Sequence, residues 1–398
     1  MIFEIMKKQY IFLTLILVSS FCFAEGSLNQ KKFVSGNIQD KTQCVRSASG
    51  EEAVLLSKLA LDFAISSKEV LGNDRDLDAL AVSGILSIPQ DYLNSSQEAE
   101  TKAIYDRFYN IYNLFSDTNV KIAVLNRLTV FKTQDTRFPE LLNSYLKRAV
   151  VSTEKDSLSK AVISTLGYIG NKDSFVILYL LYGDSVWAQY KEELKKSVTQ
   201  LLEKSIPQAI SIIQTGNAAE CQNIFDLTVK NEKFPKKVYA EISENVLSRT
   251  IILYENSLKE DGLEQLQYNA FSVLAKLEWT RSAKIAMKYF SIAKMQYERG
   301  ELSEAQYTEV IKKLPVIDPV DSVGVYCSCI NEFNQTAEKA ISDSSVSLPS
   351  DKVILAFISA LGAIGDKNAF DTLLAITYYS YPENVITQAR DALASLKW

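Results

Sequence analysis

Histidine is absent from this chain, and that removes several chemistries together. It is the side chain whose unperturbed charge changes near neutrality, so Ser-His-Asp and Cys-His catalysis, His-ligated zinc and histidine acid-base work all fall away. Carboxylates, lysines and tyrosines can still do chemistry, but only in a recognisable constellation. The nearest thing to a metal motif is Asp74-Arg75-Asp76-Leu77-Asp78, which opens like a calcium loop. Such a loop needs Gly at its sixth position and Glu at its twelfth; Ala79 and Ile85 stand there instead. An acidic stretch capping a helix that starts near Leu77 is the better reading. Glu51-Glu52 and Glu192-Glu193 read in the same way as helix starts or solvated residues. No GxGxxG, GxxxxGK[ST] or GxSxG occurs, so neither a phosphate cradle nor a nucleophile elbow is expected. Cys327-Ser328-Cys329 lacks the CxxC spacing of a redox pair. Asn94-Ser95-Ser96 and Asn334-Gln335-Thr336 match a glycosylation pattern that arises commonly by chance. No catalytic, cofactor-binding or metal-ligating residue is assigned, and no cofactor is expected.

The aromatics have more to offer. Tyr105, Phe108, Tyr109, Tyr112 and Phe115 fall at helical spacing, while Tyr179 and Tyr182, then Tyr378, Tyr379 and Tyr381, follow two similar turns. One reading is a tyrosine-rich groove suited to peptide, since tyrosine is favoured at interfaces. The other, which is favoured, is packing between repeats with phenol oxygens at the surface.

The elements that carry these residues come after an export segment. Lys7 and Lys8 precede an apolar run from Tyr10 to Phe23, which ends in Cys22-Phe23-Ala24. This is the layout of a secretory signal cleaved after Ala24. The run is too short to prefer a membrane anchor. Lipidation at Cys22 is disfavoured because Phe21 precedes it where lipoprotein signals carry a small residue. The whole chain of 398 residues carries a net charge of −5, which does not suggest a nucleic-acid binder. Pairs such as Lys195-Lys196 and Lys236-Lys237 read as solvated helix edges. Cys44, Cys221, Cys327 and Cys329 remain after cleavage. They are too few for a disulfide framework and read as buried small apolar residues; the alternative is a Cys44 bridge pinning the N-terminal stretch.

With 14 glycines and 8 prolines, the chain favours long helices over strands. LGYIGNKDSF at Leu166–Phe175 returns as LGAIGDKNAF at Leu361–Phe370. Aligned without a gap, Asp156–Leu180 and Asp351–Ala375 share 11 of 25 residues, which establishes an internal repeat. Ala161, Leu166 and Ile169, and their counterparts Ala356, Leu361 and Ile364, lie on one helix face. Gly170 and Gly365 follow, where a helix commonly ends in a left-handed residue. Asn171/Asp366 or Asp173/Asn368 can cap the next helix, whose Phe175 and Leu178, or Phe370 and Leu373, point back at the first. One such pair cannot bury both its faces, so units must stack. Weaker copies run from Ala123 to Phe138 and from Leu274 to Ala286, and the spacing is close to a period of about forty residues.

These motifs resemble the HEAT repeat, in particular the HEAT-like variety first noted in phycobilisome lyases. Two units, Leu158–Leu201 and Val353–Leu396, carry the resemblance well; the family's Val-Arg survives only as Gln388-Ala389-Arg390. The resemblance implies an all-α fold, an α-solenoid of antiparallel helical pairs forming an α-α superhelix. It also implies a role mainly in binding and scaffolding, with a minority of that family helping to attach or remove bilin chromophores. Further helical patterns cover Glu51–Val70, Glu98–Phe115, Pro235–Glu255, Gly262–Leu277 and Val323–Ser342, with looser joints at Leu71–Asp78, Ser87–Ser96, Leu314–Asp321 and Ser342–Asp351. The organisation expected is a signal over 1–24, a flexible leader over 25–50, and one solenoid of about eight helical pairs over 51–398. A seam is expected near Pro315–Pro319. The function expected is that of an exported, non-enzymatic interaction or scaffold protein of the cell envelope. Its partner would be a protein, with no nucleic acid and no stable transmembrane anchor, in the periplasm or secreted. The alternatives are a lipid- or glycan-binding module and a lyase-like, chromophore-handling enzyme.

Overall fold

The computed structural model describes residues 27–94, 98–131, 135–149, 156–231, 233–256, 260–342 and 348–397. The expected export signal therefore lies outside the described residues. Helices dominate, and among the described residues the sole β-type pairing is an isolated bridge between Asp366 and Lys397. The chain falls into two compact units, Met1–Leu201 and Leu202–Trp398.

The first unit contains α1 (Leu28–Ser35), α2 (Ile38–Ser47), α3 (Gly50–Leu71), α4 (Arg75–Ser87), a single turn at Gln90–Leu93, α5 (Glu98–Leu114), α6 (Thr118–Leu128), α7 (Arg137–Arg148), α8 (Ser157–Ile169), α9 (Lys172–Gly183) and α10 (Lys191–Leu202). The even-numbered helices α2, α4, α6 and α8 pack in succession as one tier, and odd-numbered neighbours such as α3 and α5, or α7 and α9, form the other. Hairpin partners α3–α4, α5–α6 and α7–α8 join the tiers. Within a tier the helices run the same way. Lys58 and Asp62 of α3 meet Glu100 and Arg107 of α5 in that order, at separations of 42 and 45 residues. Thr165 of α8 donates to the Leu125 carbonyl of α6 across 40 residues. The period of about forty is thus visible as contacts between equivalent helices.

Capping keeps the same step. Asn37, Asp74, Asp117 and Asp156 open α2, α4, α6 and α8, each accepting backbone N–H bonds of the first turn through its side chain. A short polar side chain there satisfies donors that no intrahelical carbonyl reaches, worth about 1 kcal/mol per helix. The calcium-like Asp74–Asp78 stretch is accounted for in this way: Asp74 caps, and Asp78 pairs with Lys68 at 3.4 Å.

The second unit repeats the plan with α11 (Ile206–Thr215), α12 (Ala218–Val229), α13 (Lys236–Glu255), α14 (Leu263–Lys276), α15 (Ala283–Glu298), α16 (Glu304–Ile317), α17 (Pro319–Ser342), α18 (Asp351–Ile364), α19 (Phe370–Ile376) and α20 (Glu383–Ala394). Again the even helices α12, α14, α16, α18 and α20 pack in series. Its core gathers Phe290, Tyr307, Tyr326, Phe333 and Phe357 around ring contacts of 5.0 to 6.4 Å. Each such ring buries enough apolar surface to contribute about 1.5–3 kcal/mol.

The recurring glycines do two jobs, and one of them differs from expectation. Gly365 ends α18 in the left-handed region at φ 72°, as anticipated. Gly170 ends α8 at φ −63°; it is glycine for space, because a Cβ would lie 2.3 Å from the Leu166 carbonyl oxygen. Gly167 and Gly362 sit in the last turn of α8 and α18, where a Cβ would come within 2.9 Å of the Ser197 Cα on α10, or 3.2 Å of the Ala392 Cα on α20. They let helices of one tier close to backbone contact. Serine hydroxyls stitch the approach: Ser197 donates to the Ile163 carbonyl and Ser395 to that of Gly362, both at 2.9 Å.

Two expectations are corrected. Residues 25–50, read as a flexible leader, hold α1 and α2 from Leu28 onward, and Phe33, Cys44 and Val45 pack with Leu56, Ala60 and Leu80. The Lys41 amine donates to the Phe33 and Val34 carbonyls and closes the end of α1. The seam anticipated near Pro315–Pro319 is not where the units divide. Pro315 lies inside α16, which runs on to Ile317. A proline lacks the N–H that would serve the carbonyl four residues earlier. That carbonyl belongs to Ile311, and the buried Tyr326 hydroxyl of α17 donates to it at 2.6 Å.

Two predictions follow from these contacts. Gly167→Ala should destabilise by about 1–3 kcal/mol despite alanine's better helix propensity, because neighbouring backbone must shift. Gly183→Ala, with nothing within 4 Å of the added carbon, should be neutral or slightly stabilising in the same urea titration. Tyr326→Phe should cost about 1–3 kcal/mol by orphaning the Ile311 carbonyl. The loss should shrink in a Pro315→Ala background, where the restored N–H serves that oxygen, and a double-mutant cycle reads the difference.

Candidate functional site

Each unit carries a surface groove of mixed apolar and charged lining. The first has a volume of about 620 Å³ and is lined by Gly50, Glu51, Val54, Leu55 and Lys58 of α3, Pro89, Asp91 and Tyr92 of the turn after α4, and Glu100 of α5. Val54 forms its apolar floor at 7% exposure, and Leu55 stands at the edge at 41%. The Lys58 amine bridges the two helices, donating to Tyr92 Oη at 2.7 Å and to Glu100 Oε2 at 3.1 Å, and sits 5.0 Å from the Tyr92 ring centroid. Glu51 and Asp91 are exposed carboxylates, and among the described residues no ion pair engages them.

The second groove is about 380 Å³ and lies among α15, α16, α17 and the start of α18. It is lined by Lys294, Tyr297, Glu298, Tyr307, Glu332, Phe333 and Thr336, with Leu348, Pro349 and Val353. Lys294 pairs with Glu332 at 2.7 Å, joining α15 to α17 across 38 residues. Burial pulls the Lys294 amine down, but the hydrogen bond to Glu332 and the nearby acids, Glu298 included, outweigh it and raise the pKa. Tyr297 stacks on Tyr307 with centroids 4.8 Å apart, and one face of it lines the groove. Each groove thus carries a Lys–Glu bridge between helices of one tier, a tyrosine, a proline, a valine floor and surplus carboxylate.

The tyrosines named from the sequence divide clearly. Tyr105, Tyr112 and Tyr179 are buried with Phe108 and Phe115, and Tyr105 and Tyr112 meet Phe138 of α7 edge-on at 5.2 and 5.7 Å. Tyr381 is buried and donates to Asn334 Oδ1 at 3.0 Å. Packing between repeats therefore explains most of the set, Tyr109, Tyr182 and Tyr379 being half-buried. Tyr378 is the exception at 79% exposure. Asn334, one of the glycosylation-pattern residues, is itself buried.

No known protein family, curated protein or solved structure matches this chain.

The thiols behave as packing groups. Cys44, Cys221, Cys327 and Cys329 are all free, and burial pushes Cys221 up to about 12 and Cys329 up to about 11. A thiol held that high carries no thiolate near neutrality and is a poor nucleophile. Among the described residues no helix is long and apolar enough to cross a membrane.

The groove residues escaped the sequence reading. Lys58, Glu100, Lys294 and Glu332 sit one repeat period apart in pairs, a signal carried by charged positions rather than apolar ones. Replacing Tyr378 with Ala should leave thermal melting unchanged. Replacing Tyr381 with Phe should lower the melting temperature by about 2–4 °C, because Asn334 loses a buried partner worth about 1 kcal/mol.

Proposed function

We propose that the chain is an exported, non-enzymatic interaction scaffold built from HEAT-like helical pairs, acting in the cell envelope by holding a protein partner on its surface. The observation that carries this reading is the recurrence of one groove chemistry in both units, at the joint between two helices of a tier. Stacked helical pairs offer extended surfaces whose residues vary while the packing is kept, the usual way such arrays recognise proteins. The titratable groups also support it. Burial raises the pKa values of the Tyr289, Tyr307 and Tyr326 phenols and the Cys221 and Cys329 thiols, whereas a poised nucleophile or base is tuned toward neutrality.

Export is supported by the Lys7, Lys8 and Tyr10–Phe23 pattern alone. Affinity capture of a tagged full-length chain from gently opened cells, with quantitative mass spectrometry, tests the reading. One envelope protein should be recovered in near-equal molar amount with the processed chain. Recovery of scattered, substoichiometric proteins, or steady turnover of a small molecule by the purified chain, would overturn it.

A further inference from the structure

From the composition of the two grooves we infer that each takes a short extended segment of a protein partner that presents a lysine or arginine beside an apolar residue. The inference deepens the scaffold reading and rests on it. Both grooves set surplus negative charge over an apolar floor. In the first groove Lys58 is already engaged by Glu100 and Tyr92, which leaves Glu51 and Asp91 facing the same space. The amino-terminal end of α3 offsets about half a charge, so the groove stays negative. An anionic segment is repelled there, and a wholly apolar one would strand two carboxylates against it.

A basic side chain meets both demands. Its aliphatic stem lies along Val54, Leu55 and the Pro89 ring while its head stays at the carboxylates. Tyr92 lines the same space, its hydroxyl held by Lys58 at 2.7 Å, and its ring is of the kind that attracts a cation. The second groove carries the same parts in other residues. Lys294 is engaged by Glu332, Glu298 is left as exposed surplus charge, Val353 and Pro349 supply the apolar wall, and Tyr297 offers a ring. Two grooves of matching chemistry, in separate units and from unrelated local sequences, mark a common ligand class.

The test uses fluorescein-labelled Ala-Leu-Lys-Leu-Arg-Ala and its charge-reversed counterpart Ala-Leu-Glu-Leu-Glu-Ala, titrated with the full-length chain by fluorescence anisotropy. The basic peptide should bind and the acidic one should not. Affinity should fall as salt rises from low to physiological, because exposed pairs are screened. The triple variant Glu51→Gln, Asp91→Asn, Glu298→Gln should bind about tenfold more weakly, as expected when several exposed charge pairs are lost, with an unchanged melting curve. Equal binding of both peptides, or a triple variant that binds like the parent, overturns the inference. Should the variant melt early, the salt titration of the parent decides, and a salt-independent affinity overturns it. Failure of the basic peptide while a stoichiometric partner is still captured refutes the groove chemistry and leaves the scaffold reading standing. Binding of the basic peptide with no partner captured does the reverse.

Discussion

Contact between helices of the same tier is the constraint on which the rest of this structure depends. A single helical pair has two apolar faces and can cover one of them with its own hairpin partner; the other must be covered by the next pair. Close approach then demands that something small sit at the crossing. Gly167 meets Ser197 there and Gly362 meets Ala392, and a serine hydroxyl donates across each joint. The repeated decapeptide is explained by that geometry. Its glycines permit closure, fit a crowded helix end or, at Gly365, take the left-handed turn, and its Asn171 or Asp366 starts the following helix through side-chain bonds to the backbone.

Much of the fold was legible because its signals are local and periodic. Helices read at Glu51–Val70, Glu98–Phe115 and Pro235–Glu255 match α3, α5 and α13 to within a residue or two, since apolar spacing and breakers mark their faces and ends. The failures have physical causes. Residues 28–47 form helices with few apolar side chains, and their stability comes from docking on Leu56, Ala60 and Leu80, which no local window shows. The spacing Ile38, Lys41, Thr42, Val45 and the caps Ser27 and Asn37 were the available signals. Pro315 looked like a break because a proline removes a helix hydrogen bond; the replacement donor, Tyr326, lies on another helix, 15 residues beyond the Ile311 carbonyl it serves.

The candidate grooves were legible only in part. The lysines and glutamates that bridge α3 to α5 and α15 to α17 fall at the repeat step, but charged residues at such spacing are indistinguishable in sequence from solvated helix faces. What sets them apart is placement beside a half-open apolar floor. The tyrosines show the opposite case. Their spacing suggested a recognition surface, yet rings at i, i+3, i+4 and i+7 on α5 are also how a helix fills the space against α7, and Phe138 receives three of them.

The central claim is that function resides in the surface of the stacked pairs and is exercised on a protein. In-cell photocrosslinking tests it most directly, with a photoreactive residue placed singly at Leu55, Leu180 and Val320 of the full-length chain, all three exposed positions. The account predicts a discrete adduct of one constant mass at one or more of these positions, identifiable as a single partner. A diffuse ladder at every position, or no adduct at any, would contradict it.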